Sequence, residues 1–293
     1  MDKRNYILFT DSDCDMTMQE AKEKGIEMIS MPYIIDDKEI YPYKDWDEFN
    51  AKEFYDMLRK GVLPKTCGLS PATYVEYFEP FFKEGKDILY VHLSEKMTGT
   101  INALNLALDQ LKEKYPDRRC VKIDCRGITI IFYAIVRAVY ELYKEGKSID
   151  EIVEWSKTEV DHWACYFYAD DLKFFGRSGR VSGLASFMGN LIGLRPLITM
   201  SAEGKMESCN KAIGRNAAIK KVLAYVDELQ DHIEDYPVYV GHSDCLALAH
   251  RCGLELKKKY GKDLHIEYVM SNPTIGSHCG PDCVGVCFHA KHR

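Results

Sequence analysis

Asp87-Ile-Leu-Tyr-Val-His92, then Leu93-Ser94-Glu95-Lys96-Met97-Thr98-Gly99-Thr100, then Ile101-Asn-Ala-Leu-Asn-Leu-Ala-Leu108, carries the pattern that the rest of the chain repeats. The first run is mostly apolar, as in a parallel strand buried on both faces. The last repeats its apolar residues at helical spacing. Between them lies a hydroxyl-rich turn with one glycine. A strand, such a turn and a helix start together make an anion cradle. The first N–H groups of a helix lack intrahelical partners, the dipole there is positive, and the hydroxyls of Ser94, Thr98 and Thr100 can add donors. A competing reading has Thr98 or Thr100 simply capping the helix.

The same alternation runs outward on both sides. Tyr6–Thr10 reads as a buried strand ending in Asp11-Ser-Asp-Cys-Asp15, and Thr17 with Glu20 forms a capping box for a helix stopping near Gly25. Ile26 to Ile35 reads as a second strand, and Asn50 with Glu53 starts a helix reaching Lys60. Ser70 caps the next helix, with Pro71 at its first position. Beyond the opening stretch come a strand over Val121–Cys125, a helix from Ile128 to Glu145, a helix boxed by Ser148 and Glu151, and a strand from Trp163 to Ala169. Strand–helix alternation of this kind means a parallel sheet with helices on both faces, and ligands beyond the carboxyl ends of its strands. The pattern changes after about residue 170. A loop carrying Arg177 and Arg180, a helix over Leu184–Ile192, a hairpin of Leu197–Met200 and Met206–Cys209, and a long helix over Asn216–Leu229 lead to strands at Val238–His242 and Ile266–Val269. The fold class is therefore α/β with two domains: 1–165, a parallel-sheet α/β/α unit, and 166–293, a smaller mixed α/β unit.

The totals fit a soluble globular chain: 293 residues, 46% hydrophobic, 29% charged. A net charge of −6 with no basic segment argues against a nucleic-acid binder. The most apolar helix, from Ile128 to Tyr143, contains Arg137 and Glu141 and is too short to span a bilayer. Eleven scattered cysteines without a secretory leader fit reduced thiols, so a cytoplasmic setting is expected.

Five blocks, in order, resemble the DegV family of bacterial fatty-acid-binding proteins. They are TDSDCD at residue 10, TCGLSP at 66, LSEKMTGTINA at 93, GRSGRVSG at 176 with NLIGLRPLITMSAEGKM at 190, and IGSHCGPDCVGV at 275. The resemblance implies a non-catalytic carrier that buries a long-chain fatty acid between its two domains. It implies presentation of the acid's carboxylate to a separate fatty-acid kinase for phospholipid synthesis, with at most transient membrane contact and no cofactor. It carries the carboxylate ligands onto Thr66, Ser94 and His278, joined by the Thr98-Gly99-Thr100 turn. A carboxylate removed from water needs donors on both oxygens, and hydroxyls, N–H groups and an imidazole supply them without a clamping cation. Glu95, Cys67-Gly68-Leu69 and Asp282 depart from the family pattern.

Three other readings compete for these residues. Ser94 as nucleophile with His278 as base would make an acyl hydrolase or acyltransferase, but no G-x-S-x-G elbow is present. His278, Cys279, Cys283 and Cys287 lack zinc-knuckle spacing, and Cys283 and Cys287 on one strand face would stand roughly 13 Å apart, so no metal site is expected. Arg177 and Arg180 could meet a phosphate or a partner's acidic surface, or pair with Asp170 or Asp171.

Overall fold

The computed structural model describes residues 5–43, 49–182 and 193–293. The helix expected over 184–192 lies outside the described residues. Three sheets organise the rest. The first has four strands, in the order β2 (Glu27–Ile29), β1 (Tyr6–Asp11), β6 (Asp87–His92), β7 (Cys120–Asp124), all parallel. Its side chains alternate as the pleat requires. Leu8, Leu89 and Val91 face one hydrophobic cluster, while Phe9, Ile88 and Tyr90 face another, beneath α3 (Pro71–Lys83) and α4 (Thr100–Lys114). Apolar residues on both faces account for the unbroken hydrophobic runs in the sequence.

The expected strand over residues 26–35 is two strands. β2 ends at Ile29, and β3 (Tyr33–Ile35) belongs to a separate small sheet between β4 (Lys38–Ile40) and β5 (Lys65–Thr66). Pro32 has no N–H for a ladder. The Met31 N–H donates instead to Ser12 Oγ (2.9 Å), and the Ser30 N–H to the Tyr77 hydroxyl (3.2 Å).

The largest sheet has seven strands. The order is β13 (Ile266–Met270), β12 (Val238–His242), β14 (Val284–His289), β8 (Trp163–Tyr168), β10 (Leu194–Met200), β11 (Met206–Ile213), β9 (Val181–Ser182). Parallel and antiparallel pairs mix in it. β8, read from the sequence with the first half, sits in the middle of this sheet and is wholly buried. We propose that the division between the two units falls just before Trp163. The expected hairpin is β10 and β11, joined by a turn in which Gly204 takes φ +83°. A Cβ on Gly204 would strike Ser94 Oγ and come within 3.1 Å of the Arg126 backbone, so the turn requires glycine.

Between the two large sheets lies α5 (Thr129–Lys144), with nine buried residues. One hydrophobic cluster runs from Leu8 and Leu89 through Ile131, Ile135 and Val139 to Cys165, Ile198 and Tyr239. The two units therefore share a core.

Two segments for which the sequence suggests no helix are helical. α7 (Leu172–Ser178) occupies the arginine loop; the Asp171 carboxylate accepts from the Lys173 N–H (3.0 Å), and Gly179 ends the helix at φ +64°. α10 (Pro273–Cys279) carries His278; Asn272 caps it, its Oδ1 accepting from the N–H groups of Thr274 (2.8 Å) and Ile275 (3.2 Å). Among the described residues no helix is long and apolar enough to cross a membrane.

Candidate functional site

A cavity of about 330 Å³ lies between the two large sheets. Leu93, Met97 and the Thr98–Thr100 turn form one wall, and Cys165, Phe167, Met206 and Val284 the other. The start of α5, the inner face of α10 and residues 66–69 complete its lining. The wall is mostly apolar, but its polar groups are few and specific.

In this lining Thr66 and His278 meet. Thr66 lies at the end of β5 and His278 in the last turn of α10, and Thr66 Oγ1 is 2.8 Å from His278 Nε2. Burial, reinforced by the positive charges of Arg180 and Arg177, pulls the imidazole from 6.5 to about 4. It is therefore neutral near pH 7. With the proton on Nε2, the histidine donates to Thr66 Oγ1 and leaves the threonine O–H free to donate into the cavity. Arg180 lines the cavity rim, and its guanidinium donates to Ser178 O (2.8 Å). Arg177 points away and donates to Leu63 O (3.1 Å) and Pro64 O (3.2 Å). Neither pairs with Asp170, which is held by Arg195 (2.6 Å) and Arg215 (2.7 Å).

The turn after β6 divides its residues between cradle and scaffold. Thr98, Gly99 and Thr100 all border the cavity. Gly99 gives α4 no side-chain cap. Thr98 Oγ1 accepts from the Thr100 N–H (3.2 Å), so the capping reading holds only for that one bond. Thr100 Oγ1 accepts from the Leu69 N–H (3.2 Å) and bonds the Tyr74 hydroxyl (2.9 Å), bracing the neighbouring loop.

Ser94 is not among the residues that line the cavity. It is fully buried, and its Oγ donates to Gly204 O (2.7 Å) while accepting from the Lys96 N–H (3.2 Å). Its proton is committed to a backbone carbonyl in the other unit. No hydrogen bond joins Ser94 to His278, so the nucleophile–base pair of a hydrolase is not assembled. Glu95, the departure beside the cradle, is exposed and lies 3.7 Å from Lys122 Nζ, away from the cavity. Cys279 and Cys283 are cavity-wall residues, while Cys287 sits within β14. Among the described residues no cluster of three or more His, Cys, Asp or Glu side chains could hold a metal ion.

Sequence reasoning missed Asp13, His242, Ser271 and Thr274, which also line the cavity. The signal for two of them was available: Asp13 and His242 stand at the carboxyl ends of β1 and β12, where ligands collect in such sheets. Asp13 is buried in the turn after β1 and its carboxyl is raised to about 6 by desolvation. Next to it Asp15, raised to about 7 for the same reason, accepts from the Asn272 backbone (2.8 Å) and side chain (2.6 Å) and ties the first sheet to the start of α10.

A parallel sheet and a mixed sheet enclosing a mostly apolar cavity, with a hydroxyl–imidazole pair in its wall, make an α/β architecture with a concave site of the kind that takes small ligands. The chain belongs to the DegV family, whose model, described as an uncharacterised protein family, matches residues 6–291. A DegV domain-containing protein of Clostridium perfringens is 31% identical over 286 residues, covering 97% of each chain. Among solved structures, a stearic acid-binding protein from Eubacterium ventriosum superimposes with TM-score 0.85 at 18% identity, covering 98% of both chains. A DegV-family protein from Thermus thermophilus, described for its fatty-acid binding, superimposes with TM-score 0.82 at 22% identity, covering 98% of this chain and 99% of that one.

Proposed function

We propose that this chain binds a long-chain fatty acid in the cavity between its two units, with the carboxylate at Thr66 and His278. The observation that carries the reading is the Thr66–His278 pair in the wall of a mostly apolar cavity of about 330 Å³. A neutral imidazole behind a threonine hydroxyl gives an acid oxygen a donor without placing a buried full charge beside it. The turn at Thr98–Thr100 brings the positive end of α4 to the same region. The fatty acids described for the Eubacterium and Thermus relatives support the same ligand class.

In this reading the chain has no catalytic step of its own. It presents the carboxylate to a fatty-acid kinase on the route to phospholipid, touching a membrane at most transiently. Arg180, exposed at the rim and not paired with a carboxylate among the described residues, is the side chain we assign to the incoming kinase or to the acyl phosphate it forms. Absence of a Ser94–His278 bond weighs against the acyl hydrolase or acyltransferase alternative. The test is mass spectrometry of an organic extract of protein purified from cells. One long-chain fatty acid at near one-to-one ratio is expected; an extract with no acid, from protein that also fails to take up added palmitic acid, overturns the reading.

A further inference from the structure

Among the described residues that border the cavity, Asp13 is the one carboxyl side chain and Arg180 the one lysine or arginine. Asp13 is 7% exposed. One of its oxygens accepts from the Thr274 hydroxyl. The other has no hydrogen-bond partner among the described residues and is not sealed from solvent. Thr274 borders the cavity too, so the water that solvates this free oxygen is the water of the cavity.

The groups around this carboxyl offer it no positive charge. Its own turn supplies Asp15 and Asp11, and Asp11 already accepts from the Asp13 N–H (3.0 Å) and the Tyr90 hydroxyl (2.7 Å). Cys14, in the same turn, is kept protonated by burial. β6 and α3 contribute the phenols of Tyr90 and Tyr74, and α5 packs on the turn with Thr129, whose hydroxyl donates to Asp15. α10 brings Thr274 and, one turn on, His278, neutral near pH 7, with the protonated thiol of Cys279 beside it. The field of Arg180 falls on His278, whereas Asp13 is held at about 6 by burial, opposed by the Thr274 hydrogen bond. Above pH 7 the empty protein therefore carries Asp13 as a carboxylate solvated by cavity water. An acyl chain in the cavity replaces that water with methylenes, which form no hydrogen bonds. A carboxylate facing hydrocarbon, with no cation beside it, takes up a proton. One proton from solvent bonds to the free oxygen, the Thr274 hydroxyl keeps donating to the other, and no other bond is made or broken.

We propose that loading is proton-coupled: filling the cavity places one proton on Asp13, and emptying it returns that proton to solvent. The proposal rests on the fatty-acid reading above and adds a proton to it. The loaded state is then favoured as pH falls from 8 toward 6 and the empty state as pH rises. Below about pH 6 the empty protein already holds the proton, and the dependence ends.

Calorimetric titration of the full chain with palmitic acid at pH 7.5, in phosphate and in Tris, counts the protons exchanged, because the two buffers differ in ionisation enthalpy. The wild type should take up about one proton more per bound acid than Asp13→Asn, the ligand's own ionisation being common to both. Relative to Asp13→Asn, wild-type affinity should fall by up to about tenfold per pH unit above pH 7. A loaded-minus-empty infrared spectrum of the wild type, with the ligand carboxyl carbon-13 labelled, should gain the C=O band of a protonated protein carboxyl. That measurement needs no variant and decides the matter alone if Asp13→Asn does not fold. Equal proton uptake by the wild type and folded Asp13→Asn overturns the proposal and leaves the fatty-acid reading standing, as does binding without the infrared band. Failure of palmitic acid to bind the wild type overturns the fatty-acid reading itself, and this proposal with it.

Discussion

Two hydroxyls expected to hold the same carboxylate have opposite fates. Thr66 Oγ1 meets a side chain, His278 Nε2, at 2.8 Å on the cavity wall. Ser94 Oγ meets a backbone oxygen, Gly204 O, at 2.7 Å away from the cavity. Both contacts tie the first unit to the second. They differ in what remains available: a threonine that accepts from an imidazole still has a proton to give, whereas a serine that donates to a carbonyl does not. Partner chemistry, more than residue type, separates a recognition hydroxyl from a structural one.

The strongest way to break the Ser94 side is Gly204→Ala. The new Cβ strikes Ser94 Oγ, and alanine must adopt φ +83°, so unfolding in urea should show a loss of about 3 kcal/mol. A loss below about 0.5 kcal/mol would mean that the turn gives way easily.

Acid sharpens the Thr66 side. The His278 pKa falls from 6.5 to about 4 on folding, so between those values the unfolded chain binds the extra proton. Stability from this group is full above pH 6.5 and is lost as pH falls toward 4. His278→Gln should remove about 2 kcal/mol of that loss, measured by denaturation at pH 4.5 and 7. The same slope in both proteins would mean that burial does not hold the ring neutral. Asp13 and Asp15 act with the opposite sign. Their folded values, about 6 and about 7 against 3.8, favour folding fully below pH 3.8, and that contribution is lost as pH rises from 3.8 to about 6 for Asp13 and about 7 for Asp15.

Ser94→Ala leaves the buried Gly204 carbonyl without its donor and should lower stability by about 1.5 kcal/mol. Palmitate affinity per folded molecule should not move. A tenfold weaker affinity at unchanged stability would put Ser94 back among the ligands. Thr66→Val reverses the profile: stability within about 0.5 kcal/mol of wild type, and palmitate bound roughly tenfold more weakly, with the matching fatty alcohol little affected.

Much of this was legible in the chain. The parallel sheet followed from apolar runs alternating with helical periods, and Thr17, Asn50, Ser70 and Ser148 all cap as their positions predict. Thr66 and His278 were found through short blocks of family likeness, although 212 residues separate them. The pairing itself could not be read, because nothing local in either segment specifies it. β8 was misassigned for a similar reason: an all-apolar strand fits the centre of either sheet, and only its partners, β14 and β10, decide. The two short helices were missed where caps were present but apolar periodicity was not. Asp171 and Gly179 bracket α7, and Asn272-Pro273 opens α10. Ser94 was carried onto the ligand set by family likeness, and a short block of likeness cannot reveal that a glycine carbonyl 110 residues away takes its proton.

In the proposed site Thr66 and His278 act as one unit on a fatty-acid carboxylate. A double-mutant cycle with Thr66→Val and His278→Phe, titrated with palmitic acid and with the matching alcohol, measures it directly. Either single change should weaken acid binding roughly tenfold, the second should add little once the first is made, and the alcohol should scarcely respond. Additive losses for the acid, or equal losses for acid and alcohol, would contradict it.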